Sequence, residues 1–193
     1  MSVNATLGPP GPIHRAAKWP AVIAKIALSL TALVLAVQCQ SGNCDEGDYC
    51  ECRDGNQCFL QCAGDGCVQN CHHLDVCGSV CGDECDLSCH DVEECTASCG
   101  DDCIADCHNT NTCSAICGRN CDYSCHDVSR CGVAVGDGSR VDCHNISSCI
   151  VECDGDCNVR CVNAGGENNC RITCRDGSDA TDCGAGLFAC GPC

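Results

Sequence analysis

The sequence has few aromatic residues and few basic ones. Aromatics make up 3% of the 193 residues, and lysine is absent after Lys25. A core of the usual large side chains is therefore excluded, although the length suffices for one ordinary domain. Beyond residue 38 the chain carries seven arginines against 27 acidic residues. Such a surface excludes nucleic acid and anionic membranes as partners and attracts cations.

Catalytic motifs are lacking as well. The sequence contains no phosphate-binding loop and no Ser-His-Asp context, and its acidic residues fall in turns without a paired arrangement. A chain with so little conventional core also gives no reason to expect a deep substrate pocket. We therefore expect no enzymatic activity and no cofactor, and the principal alternative to this is a bound cation, either Ca²⁺ or a transition metal.

Cysteine is abundant instead, with 31 residues, far above the ~8–10% of a short chain that signals a disulfide scaffold. An apolar segment at residues 21–38 follows Arg15 and Lys18, which is the order of a secretory signal. Three outcomes stay open: cleavage after Ala36, an uncleaved membrane anchor, or a lipid on Cys39, since LAVQC resembles a bacterial lipobox. Each predicts export to the cell surface, the outer membrane or the extracellular space, where disulfides persist. Membrane contact is expected only through this segment or the lipid.

An 18-residue repeat organises the rest of the chain. Cysteines recur in the order C-x3-C-x3-C-x3-C-x5, and the units that begin at Cys77, Cys95 and Cys113 are complete. A repeat of this length is one supersecondary unit that stacks on its neighbours. The predicted parts are a signal peptide or anchor at 1–38, an N-terminal cap at 39–57, the repeats at 58–174 and a C-terminal cysteine-rich cap at 175–193.

The pattern inside a unit predicts strands. Cysteines alternate with small or apolar residues, as in CTASC and CSAIC, and alternate side chains of a strand share a face. In the unit at Cys131, Val135 and Ser139 replace the second and third cysteines, and the alternation survives. No apolar stripe of helical period is present. The predicted fold is all-β, a narrow disulfide-stapled β-solenoid of 18-residue coils with two short strands per coil.

Geometry limits how the four cysteines of a unit can pair. The first and second lie four residues apart on one extended strand, about 13 Å, which exceeds the ~7 Å limit for a disulfide. A nested pairing, second with third and first with fourth, suits two facing strands. The predicted inner bonds are Cys81–Cys85, Cys99–Cys103, Cys117–Cys121 and Cys153–Cys157. The predicted outer bonds are Cys77–Cys89, Cys95–Cys107, Cys113–Cys125, Cys131–Cys143 and Cys149–Cys161. An outer partner in the adjacent coil, as in Cys89–Cys95, stays open.

Two metal-based interpretations use the same cysteines. The motifs CDLSCH, CIADCH and CDYSCH are one residue longer than the usual haem attachment site, so a multihaem protein is a minor alternative. The four thiolates of one unit would suit zinc or another soft metal, but their continuous spacing fits strands better and export favours disulfides.

A third interpretation places cations at the edges of the stack. Aspartates at multiples of 18 residues would repel one another, and bound Ca²⁺ would relieve that repulsion. The alternative is that these carboxylates lie on an acidic surface screened by salt, with no bound ion. These aspartates are Asp65, Asp83, Asp101 and Asp137. A row of histidines would either cap the turns or bind a transition metal through neighbouring coils. These histidines are His72, His90, His108, His126 and His144.

The repeated CxxxC–GDx–CxxxCH pattern, over roughly residues 58–174, resembles the cysteine-rich, lipoprotein-like repeat proteins of bacterial cell surfaces. The short disulfide-bonded coil is similar, in architecture only, to the β-helical antifreeze proteins of insects. The resemblance implies an exported, surface-anchored structural or interaction module, a rigid spacer or an adhesin. Its expected partner is a cell-surface or matrix component or a second copy, and a cation-binding repeat protein is the alternative.

Overall fold

The computed structural model describes residues 42–164 and 169–193. This part of the chain is all-β, a β-solenoid of about seven turns with a spacing of about 18 residues. The predicted fold class is therefore confirmed. The predictions for residues 1–38 and for Cys39 lie outside the described residues.

Across residues 42–164 and 169–193, fourteen strands form the solenoid. They are β1 (Gly42–Cys44), β2 (Tyr49–Cys62), β3 (Val68–Val80), β4 (Asp86–Ser98), β5 (Ile104–His108), β6 (Thr112–Cys117), β7 (Asp122–His126), β8 (Arg130–Gly136), β9 (Ser139–His144), β10 (Ser148–Asp154), β11 (Cys157–Val162), β12 (Cys170–Cys174), β13 (Thr181–Gly184) and β14 (Leu187–Cys190).

Parallel pairing builds two faces, which meet in β4. The first half of β4 begins a first face that continues through β5, β7, β9 and β11. Its second half begins a second face that continues through β6, β8, β10 and β12. Strands β2, β3 and β4 run through both faces, so two short strands per coil appear only from Ile104 onward. From β3 to β11 each paired residue lies opposite the one 18 positions later, so equivalent side chains of successive coils form straight rows.

The interior consists of such rows, as the alternation of cysteine with small residues predicts. In the coil that lacks the second and third cysteines, the replacements Val135 and Ser139 are 2% and 0% exposed. Val133 and Val141 on the same two strands are buried as well. An inward position on these strands therefore accepts cysteine, valine or serine, provided that its volume and hydrogen bonds suit the row.

A further buried row lies where the sequence suggests only a turn. It occupies the corner between the two faces and comprises Leu74, Val92, Thr110, Val128 and Ile146, each at most 7% exposed. Each member stands three residues after a buried cysteine of the first face and three before one of the second, so it fills the space between them. The corner is therefore part of the core.

The outer disulfides differ from the prediction. The predicted bonds Cys77–Cys89, Cys95–Cys107, Cys113–Cys125, Cys131–Cys143 and Cys149–Cys161 are wrong. The structure bonds the same cysteines across the corner, as Cys71–Cys77, Cys89–Cys95, Cys107–Cys113, Cys125–Cys131, Cys143–Cys149 and Cys161–Cys170. The reason is that the corner folds back sharply and brings two cysteines six residues apart to a Cα distance of 6.2–6.5 Å. This is the adjacent-unit alternative that the sequence leaves open.

The inner disulfides agree with the prediction at two positions and not at two others. Cys81–Cys85 and Cys153–Cys157 are bonded across the GDx turn. The predicted Cys99–Cys103 and Cys117–Cys121 bonds are not formed, and all four of these cysteines carry free, buried thiols. They occupy two successive coils, so each thiol also contacts the neighbouring pair. Contacts between the free thiols of successive coils therefore distinguish these four cysteines from the bonded pairs.

The two ends of the stack are built differently. Residues 42–57, predicted as a separate cap, belong to the solenoid, because β1 and β2 pair in parallel with the next coil. The offset between β2 and β3 is 19 residues, so the cysteines of this coil do not fit the 18-residue period of the sequence. At the other end, β14 pairs antiparallel with β11 and with β13, so parallel stacking stops at this hairpin. Within residues 42–164 and 169–193, no helical segment has the length and apolarity required to cross a bilayer.

Candidate functional site

The histidines of successive coils stack on one another along the corner. We call His72, His90, His108, His126 and His144 the histidine row. Each follows a buried cysteine of the first face, and strand alternation turns its ring outward. Neighbouring ring centroids lie 4.7–5.2 Å apart, with interplanar angles of 2–6°. The parallel register therefore produces the predicted row as a continuous stack of imidazoles.

Carboxylates accompany the histidine row along its length. His72 Nε2 lies 2.9 Å from Glu51 Oε1. Beside His90 and His126 the acid is the residue after the histidine, with His90 Nδ1 to Asp91 Oδ2 at 3.0 Å and His126 Nδ1 to Asp127 Oδ2 at 3.1 Å. Asp91 and Asp127 adopt left-handed backbone angles, with φ of 54° and 55°, which aspartate tolerates better than most residues. The sharp turn therefore places each acid beside the ring that precedes it.

The hydrogen bonds from histidine change the acidity of these carboxyls. The pKa of Asp127 is lowered from its ordinary value, first because His126 donates a hydrogen bond to it and then because Asn145 does the same. The pKa of Asp91 is lowered mainly by the hydrogen bond from His90, and that of Glu51 by the hydrogen bond from His72. All three carboxyls therefore stay ionised in more acidic solution than isolated ones.

Asp106 connects two members of the histidine row. Its Oδ2 lies 2.8 Å from His108 Nδ1, and its Oδ1 lies 3.4 Å from His126 Nε2. Oδ1 is buried and makes no hydrogen bond within the described residues. Asp142 is placed similarly two coils later, with a buried Oδ1 at 3.5 Å from His144 Nδ1. A carboxylate oxygen without a hydrogen bond beside an imidazole nitrogen is a donor set that suits a transition-metal ion.

The predicted aspartate row lies in the GDx turns and has a structural role. Oδ1 of Asp65 accepts the backbone N–H of Asp83 at 2.9 Å, and Oδ1 of Asp83 accepts that of Asp101 at 2.7 Å. Asp101 accepts the N–H of Arg119 at 2.7 Å, and its second oxygen receives the guanidinium at 2.6 Å. Asp137 likewise accepts the N–H of Asp156 at 2.8 Å. The carboxylates thus link successive turns, which accounts for the row without a bound cation.

The four free thiols form a separate cluster inside the stack. We call Cys99, Cys103, Cys117 and Cys121 the thiol cluster. The Sγ atoms of Cys99, Cys117 and Cys121 lie within 4.8 Å of one another. Hydrogen bonds from Cys103 first, and then from Cys117 and Cys99, lower the pKa of Cys121. The hydrogen bond with Cys121 raises the pKa of Cys103 to about 11. The thiols of the cluster therefore form hydrogen bonds with one another.

The haem interpretation finds no support in the described residues. In the CDLSCH and CDYSCH motifs, Cys89 and Cys125 are bonded across the corner, and Cys107 of CIADCH is bonded to Cys113. Haem attachment would require these sulfurs.

An internal cavity between Gln69, Leu87 and Tyr123 measures about 20 Å³, which is the volume needed for one water molecule.

Three acidic partners of the histidine row were not identified from the sequence. Glu51, Asp106 and Asp142 contact His72, His108 and His144. The available signal is the spacing of Asp106 and Asp142, which stand two residues before a histidine and hence on the same side of the strand. Glu51 lies in the coil with the 19-residue offset, and therefore no periodic signal marks it.

Comparisons with known proteins give no relative. No family model, no curated protein and no solved structure matches the chain. The functional proposals therefore rest on the geometry of this chain alone.

Proposed function

We propose that the chain is an exported, surface-anchored structural or interaction module, a rigid spacer or adhesin-like element without catalysis. The observation that supports it best is the continuous stack of short coils, in which the described residues contain thirteen disulfides. Such bridges typically occur in extracellular proteins. A cell-surface or matrix component, or a second copy, is the partner that this proposal requires.

The stack has properties that suit a load-bearing spacer. Consecutive coils are joined by backbone hydrogen bonds on both faces, and the turns add side-chain bonds from one aspartate to the next coil. A disulfide typically contributes ~2–4 kcal/mol by restricting the unfolded chain. Local opening, which proteases require, is therefore opposed in almost every coil.

Limited proteolysis tests the structural part of the proposal. The oxidised chain should survive a broad-specificity protease for hours, whereas the fully reduced and alkylated chain should be degraded within minutes. Equal degradation of both forms would contradict a rigid spacer. Since lysine is absent after Lys25, carboxylate-directed biotinylation of intact cells, followed by intact mass measurement, tests export and anchoring in the same preparation. Recovery only from the cytoplasm, with an unprocessed N-terminus, would contradict that part.

A cation-binding function is the second candidate, and the carboxylate of Asp106 favours it. This group lies between His108 and His126 and leaves one buried oxygen without a hydrogen bond. Calorimetric titration of the oxidised chain with Ca²⁺, Zn²⁺ and Cu²⁺ tests it. Binding of Zn²⁺ or Cu²⁺ should weaken in Asp106→Asn but not in Asp86→Asn, which removes one exposed acid from the same face. Absence of any binding tighter than millimolar would exclude this candidate.

A further inference from the structure

The thiol cluster stands apart from every other cysteine of the described residues. Twenty-six cysteines are bonded, and the four of the cluster are not. They are 1–8% exposed and come from two successive coils. We propose that Cys99, Cys103, Cys117 and Cys121 together bind one thiophilic d¹⁰ metal ion, with Zn²⁺ as the representative divalent ion.

The backbone brings the four ligands together in two C-x3-C turns. The first cysteine of each turn, Cys99 or Cys117, stands at the end of a strand of the second face. The second, Cys103 or Cys121, precedes the next strand of the first face, and the two turns are 18 residues apart. The backbone N–H of Gly118 donates to Gly100 O at 2.9 Å, so the turns are in direct contact. Two CxxxC elements held side by side by backbone hydrogen bonds form a four-cysteine arrangement of the kind used by structural zinc sites.

Three of the four sulfur positions approach the spacing of a tetrahedral centre. Zinc–thiolate bonds of ~2.3 Å place two sulfurs of one tetrahedron roughly 3.8 Å apart. Three Sγ atoms of the cluster already lie within 4.8 Å of one another, and Cys103 makes thiol contacts with Cys99 and Cys121. The backbone N–H of Cys85 also donates to Cys103 Sγ at 3.4 Å. Backbone N–H groups that point at sulfur stabilise metal-bound thiolates.

The neighbouring coils confine the site to these two turns. On one side the equivalent pair is the bonded Cys81–Cys85. On the other side it is Val135 and Ser139, which carry no thiol. A metal ion held by the cluster thus has a closed disulfide and an apolar side chain as its neighbours along the stack. The four sulfur-bearing side chains are therefore largely shielded from solvent, as in closed structural metal sites.

The principal alternative to metal binding is that the four cysteines of the thiol cluster form two ordinary disulfides. The same backbone closes Cys81–Cys85 and Cys153–Cys157, so two disulfides in the cluster are sterically allowed. This alternative predicts that the cluster binds no metal in the native chain. The metal interpretation predicts four alkylatable thiols after the metal is removed.

The structure itself supplies a variant that removes the site and keeps the fold. Ser139 Oγ accepts the N–H of Cys121 at 3.1 Å and donates to Gly118 O at 3.4 Å. Cys103 Sγ makes the same two contacts two coils earlier, with Cys85 N and Gly82 O at 3.4 Å each. The replacement Cys117→Val with Cys121→Ser therefore copies a pair that this solenoid already contains. Cys153→Val with Cys157→Ser is the matched control, because it makes the same change in a bonded pair.

The test uses the full chain purified without reductant or chelator, with zinc content measured by elemental analysis and Cd²⁺ titrated as a spectroscopic probe. We expect one metal ion per chain and thiolate-to-cadmium absorption that saturates at one equivalent. The Cys117→Val, Cys121→Ser variant should lose both signals at least tenfold while keeping the circular dichroism spectrum, and the control variant should retain them.

Alkylation under denaturing, non-reducing conditions decides between the two interpretations. After chelation, peptides that contain the four cysteines of the cluster should carry four labels. Recovery of Cys99–Cys103 and Cys117–Cys121 as disulfides, with no bound metal, would overturn the proposal. Unchanged cadmium absorption in the Cys117→Val, Cys121→Ser variant would overturn it as well.

Discussion

Replacing Gly118 by alanine should destabilise the solenoid strongly, because the turns stack with no room for a side chain. A Cβ at this position would lie 2.7 Å from the carbonyl carbon and oxygen of Gly100 and would overlap Asp101 Oδ1. Overpacking of this kind costs about 1–3 kcal/mol. Displacing Asp101 also breaks its hydrogen bond from Arg119 N, worth about 1 kcal/mol. The expected loss in the free energy of unfolding is therefore about 2–4 kcal/mol.

Gly132→Ala is the matched control for this prediction. No atom lies within 4 Å of a Cβ at Gly132, which is on the outer side of β8. Alanine there should leave the free energy of unfolding unchanged or raise it by about 0.4–1 kcal/mol, because it restricts the unfolded chain. Guanidinium denaturation of the oxidised variants, followed by circular dichroism, measures the difference. Equal midpoints for Gly118→Ala and Gly132→Ala would refute the close stacking of the turns.

Three further outcomes follow from the core and the histidine row. Complete reduction should abolish the β-sheet circular dichroism signal, since cysteine supplies most of the interior, and a cooperative fold in strong reductant would contradict this. Val151→Ala, at a fully buried position, should lower the free energy of unfolding by about 2–3 kcal/mol, whereas Ile150→Ala on the outer side should change it by less than about 0.5 kcal/mol. The folded-state pKa of Asp127 lies below its ordinary value of 3.8, so its stabilising contribution is present above that value and is lost as the pH falls through the folded pKa. His126→Ala should raise the carboxyl titration midpoint of Asp127 in NMR, and an unchanged midpoint would exclude the histidine as the cause.

The sequence predicts the solenoid because one alternation recurs in every unit. Val133, Val135, Ser139 and Val141 continue it where two cysteines are missing, and the structure buries all four. The histidine row also follows from the period, since parallel strands in register stack equivalent residues. These features depend only on spacing along the chain.

The outer disulfide pairing depends on the shape of the corner, which spacing does not give. The prediction treats the segment between Cys107 and Cys113 as a surface turn, so it assigns each cysteine to the facing strand. The structure folds this segment inward around Thr110, whose Oγ1 contacts the sulfurs of both cysteines at 3.8 and 3.2 Å. The periodic apolar residues of the corner were the signal for this inward fold. The role of the aspartates was missed for a similar reason, because an acceptor for the next coil's N–H looks like a free carboxylate in the sequence.

The short sequence separation of the disulfides bears on how the protein is made. Ten of the thirteen bridges join cysteines four to six residues apart. Such partners meet by closing a very small loop, so each coil can oxidise soon after it leaves the ribosome or the export channel. Cys174–Cys190 and Cys183–Cys193 span 16 and 10 residues and need the last residues of the chain. Oxidation would therefore proceed coil by coil, and Cys174–Cys190 and Cys183–Cys193 would close after the short bridges of the preceding coils.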